Sequence, residues 1–552
     1  MRDRIIRRLQ QVRLTRESLI KMALGILAGF FLLSVLFSLV VGITKPVVER
    51  AEELNRKKGR YAAEELLVRS LQKNPENRSA WIQLCQHRSG VRTRRAIEAN
   101  QAIDEILDGL RGDGVPVPNQ NMKPRNDAPF LSEAEFDALA QTSPFPREIL
   151  DAWLAEEDLE RAIAALAPIA ETTEARLTAA ALYHIHWKVH RELAEYEKIL
   201  EQDPTNRPAH NGRLIRWISL GETDAIERAI EDPEVRPFLD HELVYRHYKD
   251  QKDFVRAYLP MIFYMYQKLS LGLWVSCLAV GLCWMVMIFH LGLGTTWRRP
   301  IQWLVLPALV LGWFSADFTL GAVLVVDDWL GDEAGKGINW HILHALLIGV
   351  REEFFKLLLF LPLVPYLLRA ASETQALVLA SVVGLGFAVH ENSIYYGEGH
   401  AIIGRFLTAN FLHMALTGYA GYFLFRALRQ KTRAEWIQAV EALAKVMVVH
   451  GAYDFFIIAP QLSDWSFLHM IIFILIAQQY LRLIFHIRPH RAQRVSSTRI
   501  FVATLATVTG MHYLYLSTQV GIGSAIWDTI GGLLGVAIIT FMYFQEFDER
   551  VA

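Results

Sequence analysis

The stretch Arg351-Glu352-Glu353-Phe354-Phe355-Lys356 places two glutamates and a lysine inside a long apolar segment. On insertion scales, one charged side chain near the bilayer centre costs about 2.5–3.5 kcal/mol. Charged residues that are kept at such a cost generally face the protein interior and take part in function. The stretch therefore predicts a membrane-spanning helix that carries reactive groups.

Three further apolar segments each carry a short polar pattern. They are Phe387-x-x-x-Glu391-Asn392, His413 followed by Gly418, and His450-x-x-x-Asp454. Residues three or four apart share a face of a helix, so Lys356 lies beside both glutamates of its stretch and Asp454 lies beside His450. Lysine can stabilise a neighbouring carboxylate, and aspartate can fix the tautomer of a histidine. Either a reaction centre or a set of buried ion pairs between helices is expected.

Composition defines the broad class of this protein. The 552 residues are 52% hydrophobic and 21% charged, and the formal net charge is −1. Such a mixture is typical of a membrane protein with a water-soluble part. The balanced charge gives no reason to expect nucleic acid as a partner, and three cysteines are too few for a disulfide framework.

The first apolar run, 22–43, follows the basic segment 1–21. It is longer than the apolar region of a signal peptide, and no small-residue cleavage pattern follows it. We therefore expect an uncleaved transmembrane anchor whose N-terminus lies in the cytoplasm.

Residues 44–268 contain no run long enough to cross a membrane, and their apolar residues recur at helical spacing. The stretch LQKNPENRSA at 71–80 is echoed by LEQDPTNRPA at 200–209. Each proline ends an amphipathic helix before another begins, which resembles tetratricopeptide-type (TPR) repeats. A loop at 112–129 is expected to interrupt these repeats. An unspecialised helical domain is the alternative.

The remaining chain alternates long apolar runs with short polar segments. Ten spans are predicted in all, at 22–43, 270–294, 301–326, 340–368, 374–397, 402–428, 436–460, 466–486, 499–517 and 523–544. Lys and Arg are concentrated in alternate connections, such as 298–299 and 426–433. The positive-inside rule then places both termini in the cytoplasm and 44–268 outside it. The expected fold is an all-α polytopic bundle with an extracytoplasmic TPR-like domain between the first two spans.

Taken in order, the four polar patterns resemble the PrsW family of intramembrane proteases. Its clan includes the CPBP proteins, the CAAX-prenyl endopeptidase and the anterior-pharynx-defective subunit of gamma-secretase. The resemblance covers 340–460, the protease core of a transmembrane domain at 269–460. The remaining predicted segments are the basic N-terminus 1–21, the anchor 22–43, the TPR-like domain 44–268 and the C-terminal helices 461–552.

The resemblance implies hydrolysis of peptide bonds in membrane-anchored protein substrates of a cell membrane, in regulated proteolysis or stress signalling. It points to five catalytic candidates, Glu352, Glu353, Glu391, His413 and His450, and to three supporting residues, Lys356, Asn392 and Asp454. By this analogy Glu352 is the general base and Glu353 assists it. The histidines orient water or stabilise the oxyanion, and Asn392 supplies a further donor.

Whether this peptidase is of the glutamic or the metallo type is left open by the sequence. If zinc is bound, His413, His450 and Glu391 are the expected ligands. The version without a metal is favoured, because no compact zinc-ligand motif is present. The pair His390-Glu391 begins an H-E-x-x-H pattern, but position 394 is Ile.

Two other functions stay open. A non-catalytic scaffold, like the gamma-secretase subunit, can carry the same polar groups for structural reasons. A proton-coupled transporter can use them as a proton relay, although no inverted repeat or pair of broken helices is evident. In every case we expect the lipid bilayer as a partner, and the TPR-like domain is expected to bind a peptide or a protein.

Overall fold

The computed structural model describes 16–40, 60–75, 133–143, 159–167, 170–186, 188–267, 269–293, 300–330, 337–397, 402–487 and 496–547, with scattered positions between 47 and 87. This part of the chain contains helices and no β-strand, so the all-α prediction is confirmed for it. The predicted loop 112–129 and most of the basic N-terminus lie outside the described residues. The chain divides into two units, Thr44–Val244 and a larger one formed by Met1–Ile43 and Tyr245–Ala552.

The helices are numbered in chain order. The first is α1 (Arg16–Val40). The unit Thr44–Val244 contains α2 (Arg60–Lys73), α3 (Glu133–Ala140), α4 (Leu159–Ala165), α5 (Thr173–Ile185), α6 (Val189–Gln202), α7 (Arg207–Leu220) and α8 (Thr223–Glu231). They are followed by α9 (His241–Asp250), α10 (Phe254–Gln267), α11 (Leu271–Ile288), α12 (Val305–Leu330), α13 (Ile338–Phe360), α14 (Val364–Ala370) and α15 (Glu373–Gly397). The last are α16 (Ile402–Leu407), α17 (Ala409–Gln430), α18 (Arg433–Ile458), α19 (Leu468–Ile487), α20 (Ser497–Val520), α21 (Ile522–Gly535) and α22 (Ala537–Phe547).

The two copies of the repeated sequence have the same local structure. Asn77 and Asn206 each accept a hydrogen bond from the backbone N–H three residues later, at 3.1 Å in both copies, as helix N-caps do. The ring nitrogen of Trp81 lies 2.9 Å from a proline carbonyl oxygen, and that of His210 lies 2.8 Å from the equivalent proline. The repeated sequence therefore forms the same helix N-cap twice. Each helix from α5 to α8 packs against the next one. A complete TPR architecture stays a prediction.

A buried ionic cluster joins α5, α6 and α7. The Glu192 carboxylate lies 3.0 Å from His184 Nδ1 and 2.5 Å from Arg216 Nη2, and its side chain is only 1% exposed. Burial by itself raises the pKa of the Glu192 carboxyl, but the contacts with His184 and Arg216 outweigh burial and hold that pKa below its ordinary value. The ionised carboxylate therefore stabilises this unit.

Acidification is expected to weaken this cluster. A carboxyl whose folded-state pKa is depressed stabilises the fold above its unfolded pKa, and this stability is lost as pH falls through the folded value. Amide hydrogen exchange of α6 and α7 in the full chain, compared between about pH 6 and about pH 4, should show falling protection. Glu192→Gln should start from lower protection and respond less to pH, whereas the exposed control Glu197→Gln should follow the wild type. An identical pH response in Glu192→Gln would contradict the assignment.

The larger unit is a bundle arranged around α15. Helix α15 packs against α11, α12 and α17, and 89% of its most apolar stretch is buried inside the protein. Helix α1 packs against α20, where the hydroxyls of Ser34 and Ser517 lie 2.8 Å apart and Phe31 stacks on Tyr513. The first apolar helix is thus part of the bundle.

Helices lie at all ten predicted span positions. Among the described residues, six helices are long and apolar enough to cross a membrane, or seven if α21 and α22, bent by 59°, form one span. These helices indicate a multi-pass membrane protein. The others at predicted positions, α13, α17 and α18, carry the polar and charged residues described below, which lower their apolar character. The count of ten spans stays a prediction.

Candidate active site

The crossing of α13 and α18 depends on two glycines. A β-carbon on Gly451 would lie 2.7 Å from a backbone carbonyl oxygen of α13, and one on Gly349 would overlap a carbonyl oxygen of α18. Small residues at such positions let membrane helices approach closely. Because Glu352 and Glu353 follow Gly349 by one turn, the crossing brings them to His450, which precedes Gly451.

Lys356 is the central cation of the site and is fully buried. Its ammonium donates to Glu353 Oε1 at 2.9 Å, Glu352 Oε2 at 3.2 Å and His413 Nδ1 at 2.8 Å. It also lies 3.9 Å from the centroid of the Phe387 ring, a cation–π contact. An ammonium group has three N–H donors, so all of its donors are engaged.

These contacts define the tautomer of His413. Because Nδ1 accepts from Lys356, the proton of the neutral ring is on Nε2, which donates to Glu391 Oε2 at 2.8 Å. The backbone around His413 is also held closely, since a β-carbon on Gly384 of α15 would overlap the carbonyl oxygen of His413. Helices α15 and α17 therefore approach closely at Gly384, and this contact orients the imidazole towards Lys356 and Glu352.

His450 is held in the same way by a different carboxylate. Its Nδ1 lies 2.8 Å from Glu353 Oε1, and its Nε2 faces Glu352 Oε2 at 3.6 Å and Asp454 Oδ2 at 3.5 Å. Glu353 Oε2 accepts a further hydrogen bond from Thr417 at 3.3 Å. Glu353 thus has three donors and serves as an anchor, whereas Glu352 lies between the two imidazoles.

Arg405, in the short helix α16, was not expected from the sequence. Its Nη2 donates to Glu391 Oε2 at 2.6 Å and its Nε donates to Asn392 Oδ1 at 2.8 Å. Asn392 Nδ2 in turn donates to Asn410 Oδ1 at 2.9 Å. The Asn392 amide is therefore engaged at both ends, and the buried Asn410 Nδ2 finds no hydrogen-bond partner in the described part of the chain. Arg405 could have been found by the rule that singled out Lys356, a lone charge in an apolar segment.

His390 points away from this site. Its Nε2 lies 2.8 Å from Asp317 Oδ1 of α12, and its ring contacts Trp313 and Tyr266. The neighbouring residues His390 and Glu391 thus face different helices, as their separation of about 100° around the helix requires. Asp317, another residue that the sequence analysis did not single out, ties α12 to α15.

The site becomes more open towards one end of α15 and α18. The exposed fraction of the side chain is 0% at Lys356, 10% at Glu352, 18% at Glu391 and 20% at Asp454. Both Glu391 and Asp454 lie within the last two turns of their helices. The structure therefore gathers every predicted site residue into one centre that is enclosed at Lys356 and reachable near Asp454.

Three side chains of the centre are of types that can bind a metal ion. Glu352, His413 and His450 each offer one ligand atom, and these atoms lie within 4.8 Å of one another. Each imidazole also contacts a second carboxylate, Glu391 or Glu353, through its other ring nitrogen, as histidine ligands of metals usually do. Glu391, the carboxylate predicted as a zinc ligand, is not part of this group. It pairs with Arg405 and with the other ring nitrogen of His413. Glu352 is the carboxylate of the group instead.

Arg405→Met is expected to lower turnover about 10- to 100-fold, the usual effect of removing a group that orients a ligand or catalytic histidine. The Glu391 carboxylate would lose its guanidinium partner, and His413 would lose its fixed orientation. Arg405→Lys should restore only part of the rate, because lysine keeps the charge without the planar fork. Turnover is measured as cleavage of a single-pass membrane protein by the purified variants, and the exposed Arg433→Met serves as the control. Full activity of folded Arg405→Met would contradict this role.

The bundle and its apolar helices indicate a multi-pass membrane protein with a buried cluster of ionisable side chains between helices. Residues 299–478, about a third of the chain, match the family model described as PrsW family intramembrane metalloprotease. The match supports a PrsW-type intramembrane protease, and it contains the whole centre from Glu352 to Asp454. The match is wider than the resemblance at 340–460, and it includes all of α12 and about half of α19. No curated protein and no solved structure matches the chain.

Proposed function

We propose that this protein is an intramembrane endopeptidase that hydrolyses a peptide bond of a membrane-anchored protein, with Glu352 as the general base. The position of Glu352 supports this proposal most directly. Its Oε2 lies 3.9 Å from His413 Nδ1 and 3.6 Å from His450 Nε2, and its Oε1 accepts no hydrogen bond from the described residues. A carboxylate with one oxygen available beside two imidazoles can bind and deprotonate water.

The proposed reaction needs only these residues and water. Glu352 takes a proton as the water oxygen bonds to the carbonyl carbon, and the carbonyl oxygen becomes an oxyanion. Collapse of the tetrahedral intermediate breaks the C–N bond, and Glu352 returns the proton to the leaving amine. His450, beside Asp454 at 3.5 Å, orients the water. The unengaged Asn410 Nδ2 is the donor best available to an oxyanion, a role first expected of Asn392.

A metal version of the same site uses the same residues. Glu352, His413 and His450 would hold the ion, and it would polarise the substrate carbonyl and the attacking water. Glu353 and Glu391 would then orient the two histidines through their other ring nitrogens.

A non-catalytic scaffold is the second candidate. The observation that favours it is the complete pairing of Lys356 and Glu353, as in a buried network that holds helices in register. Such a network does not need an available oxygen on Glu352. Cleavage activity separates the two functions, because a scaffold tolerates Glu352→Gln as long as the bundle folds.

We place the protein in a cell membrane, with both termini in the cytoplasm and residues 44–268 outside it. In this arrangement the TPR-like domain selects or gates substrates for regulated proteolysis. Deletion of 50–244 should widen the set of substrates that are cleaved or remove the preference among them. Unchanged cleavage selectivity would refute the assigned role of the domain, while leaving the active-site assignment intact.

The test of the protease function is a comparison of membrane proteomes. Cells would express, at matched levels, the wild type, the double variant Glu352→Ala/Glu353→Ala, or the control Lys445→Met, whose side chain is 65% exposed on α18. We expect new termini in single-pass membrane proteins with the wild type and the control, and none with the double variant. Identical termini in all three samples would refute the protease function.

A further inference from the structure

Lys356 occupies the space next to two of the three candidate metal ligands. Its ammonium lies 2.8 Å from His413 Nδ1 and 3.2 Å from Glu352 Oε2. Both atoms present to Lys356 the lone pairs that a metal ion would need. We infer that Lys356 is the resident cation of this centre, and that it competes with a divalent metal ion for Glu352 and His413. The site therefore binds metal weakly until the ammonium is displaced.

The spacing of the ligand atoms supports this competition. Ligands of a tetrahedral zinc ion lie about 3.3 Å from one another, because each is about 2.0 Å from the metal. Here Glu352 Oε2 lies 3.9 Å from His413 Nδ1 and 3.6 Å from His450 Nε2. The wider of these two separations is the one that Lys356 bridges. The arrangement is thus set by an ammonium group and needs contraction to hold a small metal ion.

The charges of the centre explain why removal of Lys356 should favour metal binding. Among the described residues of the centre, four carboxylates, Glu352, Glu353, Glu391 and Asp454, meet only two permanently charged cations, Lys356 and Arg405. Without Lys356, a single permanent cation would remain beside four carboxylates in a buried site. An enclosed excess of negative charge attracts a divalent cation strongly, because the effective dielectric constant there is low.

The surroundings of Lys356 oppose its displacement. It is fully buried, all three of its N–H donors are engaged, and the Phe387 ring covers it at 3.9 Å. Displacing the ammonium would break three charge-assisted hydrogen bonds, which are stronger than neutral ones. The inference concerns the same site as the proposed function. The biological importance of the competition rests on the proposed function. The competition itself does not, because metal binding is measured without turnover.

The experiment is a Co²⁺ titration of the purified full-length protein in detergent micelles, after chelator treatment and gel filtration. Visible absorption reports Co²⁺ held by nitrogen and oxygen ligands, and equilibrium dialysis with Zn²⁺ gives the stoichiometry. We expect Lys356→Met to bind one equivalent at least about tenfold more tightly than the wild type, as removal of a close positive charge implies. The control Lys445→Met, on the exposed face of α18, should match the wild type.

Further variants test whether the ion binds at this centre and control for misfolding. In the double variant Lys356→Met/His450→Ala, the gained affinity should disappear. Lys356→Gln removes the charge but keeps a hydrogen-bond donor, so it replaces Lys356→Met if the latter elutes as an aggregate. Equal affinities of the wild type and a folded Lys356 variant would overturn the inference. Stoichiometric submicromolar binding by the wild type would overturn it without any variant. Neither result would decide whether the chain is a protease, which the membrane proteomes test.

Discussion

Glu352→Gln is expected to abolish cleavage while leaving the folded protein in place. Glutamine has the shape of glutamate and keeps a carbonyl oxygen for the hydrogen bond from Lys356, which is 3.2 Å long in the wild type. It cannot accept the proton of the attacking water. General acid–base catalysis contributes about 10²–10⁴-fold, so turnover should fall at least about 100-fold. The measurement is cleavage of a substrate from the membrane-proteome comparison by protein reconstituted in vesicles.

The matched control for this variant is Glu441→Gln. Glu441 is on α18, its side chain is 58% exposed, and it lies 3.9 Å from Lys445, outside the centre. It should retain the wild-type rate. A folded Glu352→Gln protein with wild-type turnover would remove Glu352 from the reaction and would favour the scaffold.

Gly451→Ala is expected to disrupt the crossing of α13 and α18. The added β-carbon would lie 2.7 Å from the carbonyl oxygen of Ala345 and 3.0 Å from the Cα of Leu346. Backbone atoms cannot rotate away as the end of a side chain does, so the two helices must separate. Overpacking of this kind costs about 1–3 kcal/mol, and the 2.8 Å contact between His450 and Glu353 should be lost with it.

Two measurements check this result, thermal unfolding in detergent and cleavage of the same substrate. Gly531→Ala is the control, because its added β-carbon in α21 would have no described atom within 4 Å other than its chain neighbours and the backbone of its own helix. Alanine is favoured over glycine in a helix by about 1 kcal/mol, so this control should be at least as stable as the wild type. If both variants unfold at the same temperature and cleave equally well, the close crossing does not hold the site together.

The helices were predictable because a long apolar run has few alternatives in a membrane protein. Each apolar run of the sequence corresponds to a helix, including α15 at the predicted 374–397. Whether α13 crosses the membrane is harder to read from composition. Its charged residues, such as Arg351 and Lys356, are the ones that make it a candidate for function. The charged residues of α13 thus lower its hydropathy, which argues against a span, and at the same time they indicate a functional site.

The polar patterns name helices whose side chains the structure brings together, but they do not show how those side chains are paired. Whether Glu352 or Glu391 joins the two histidines depends on helix rotation and depth, which residue spacing does not determine. Arg405 reaches Glu391 because α16 is short and the chain turns at Thr408, where φ is −110° and ψ is −85°. That break lies inside a single predicted span, 402–428, and nothing in the apolar pattern marks it.

The burial of α15 has a consequence for how this protein is made. Helix α17, which packs along α15, is synthesised after it, so α15 leaves the ribosome before this neighbour exists. During that interval Glu391 and Asn392 lack Arg405 and Asn410, and hydrocarbon offers no substitute for them. We therefore expect α15 to stay within the insertion machinery or near the lipid headgroups until Arg405 and Asn410 have been added. A chain that ended before α16 would carry Glu391 without its guanidinium partner.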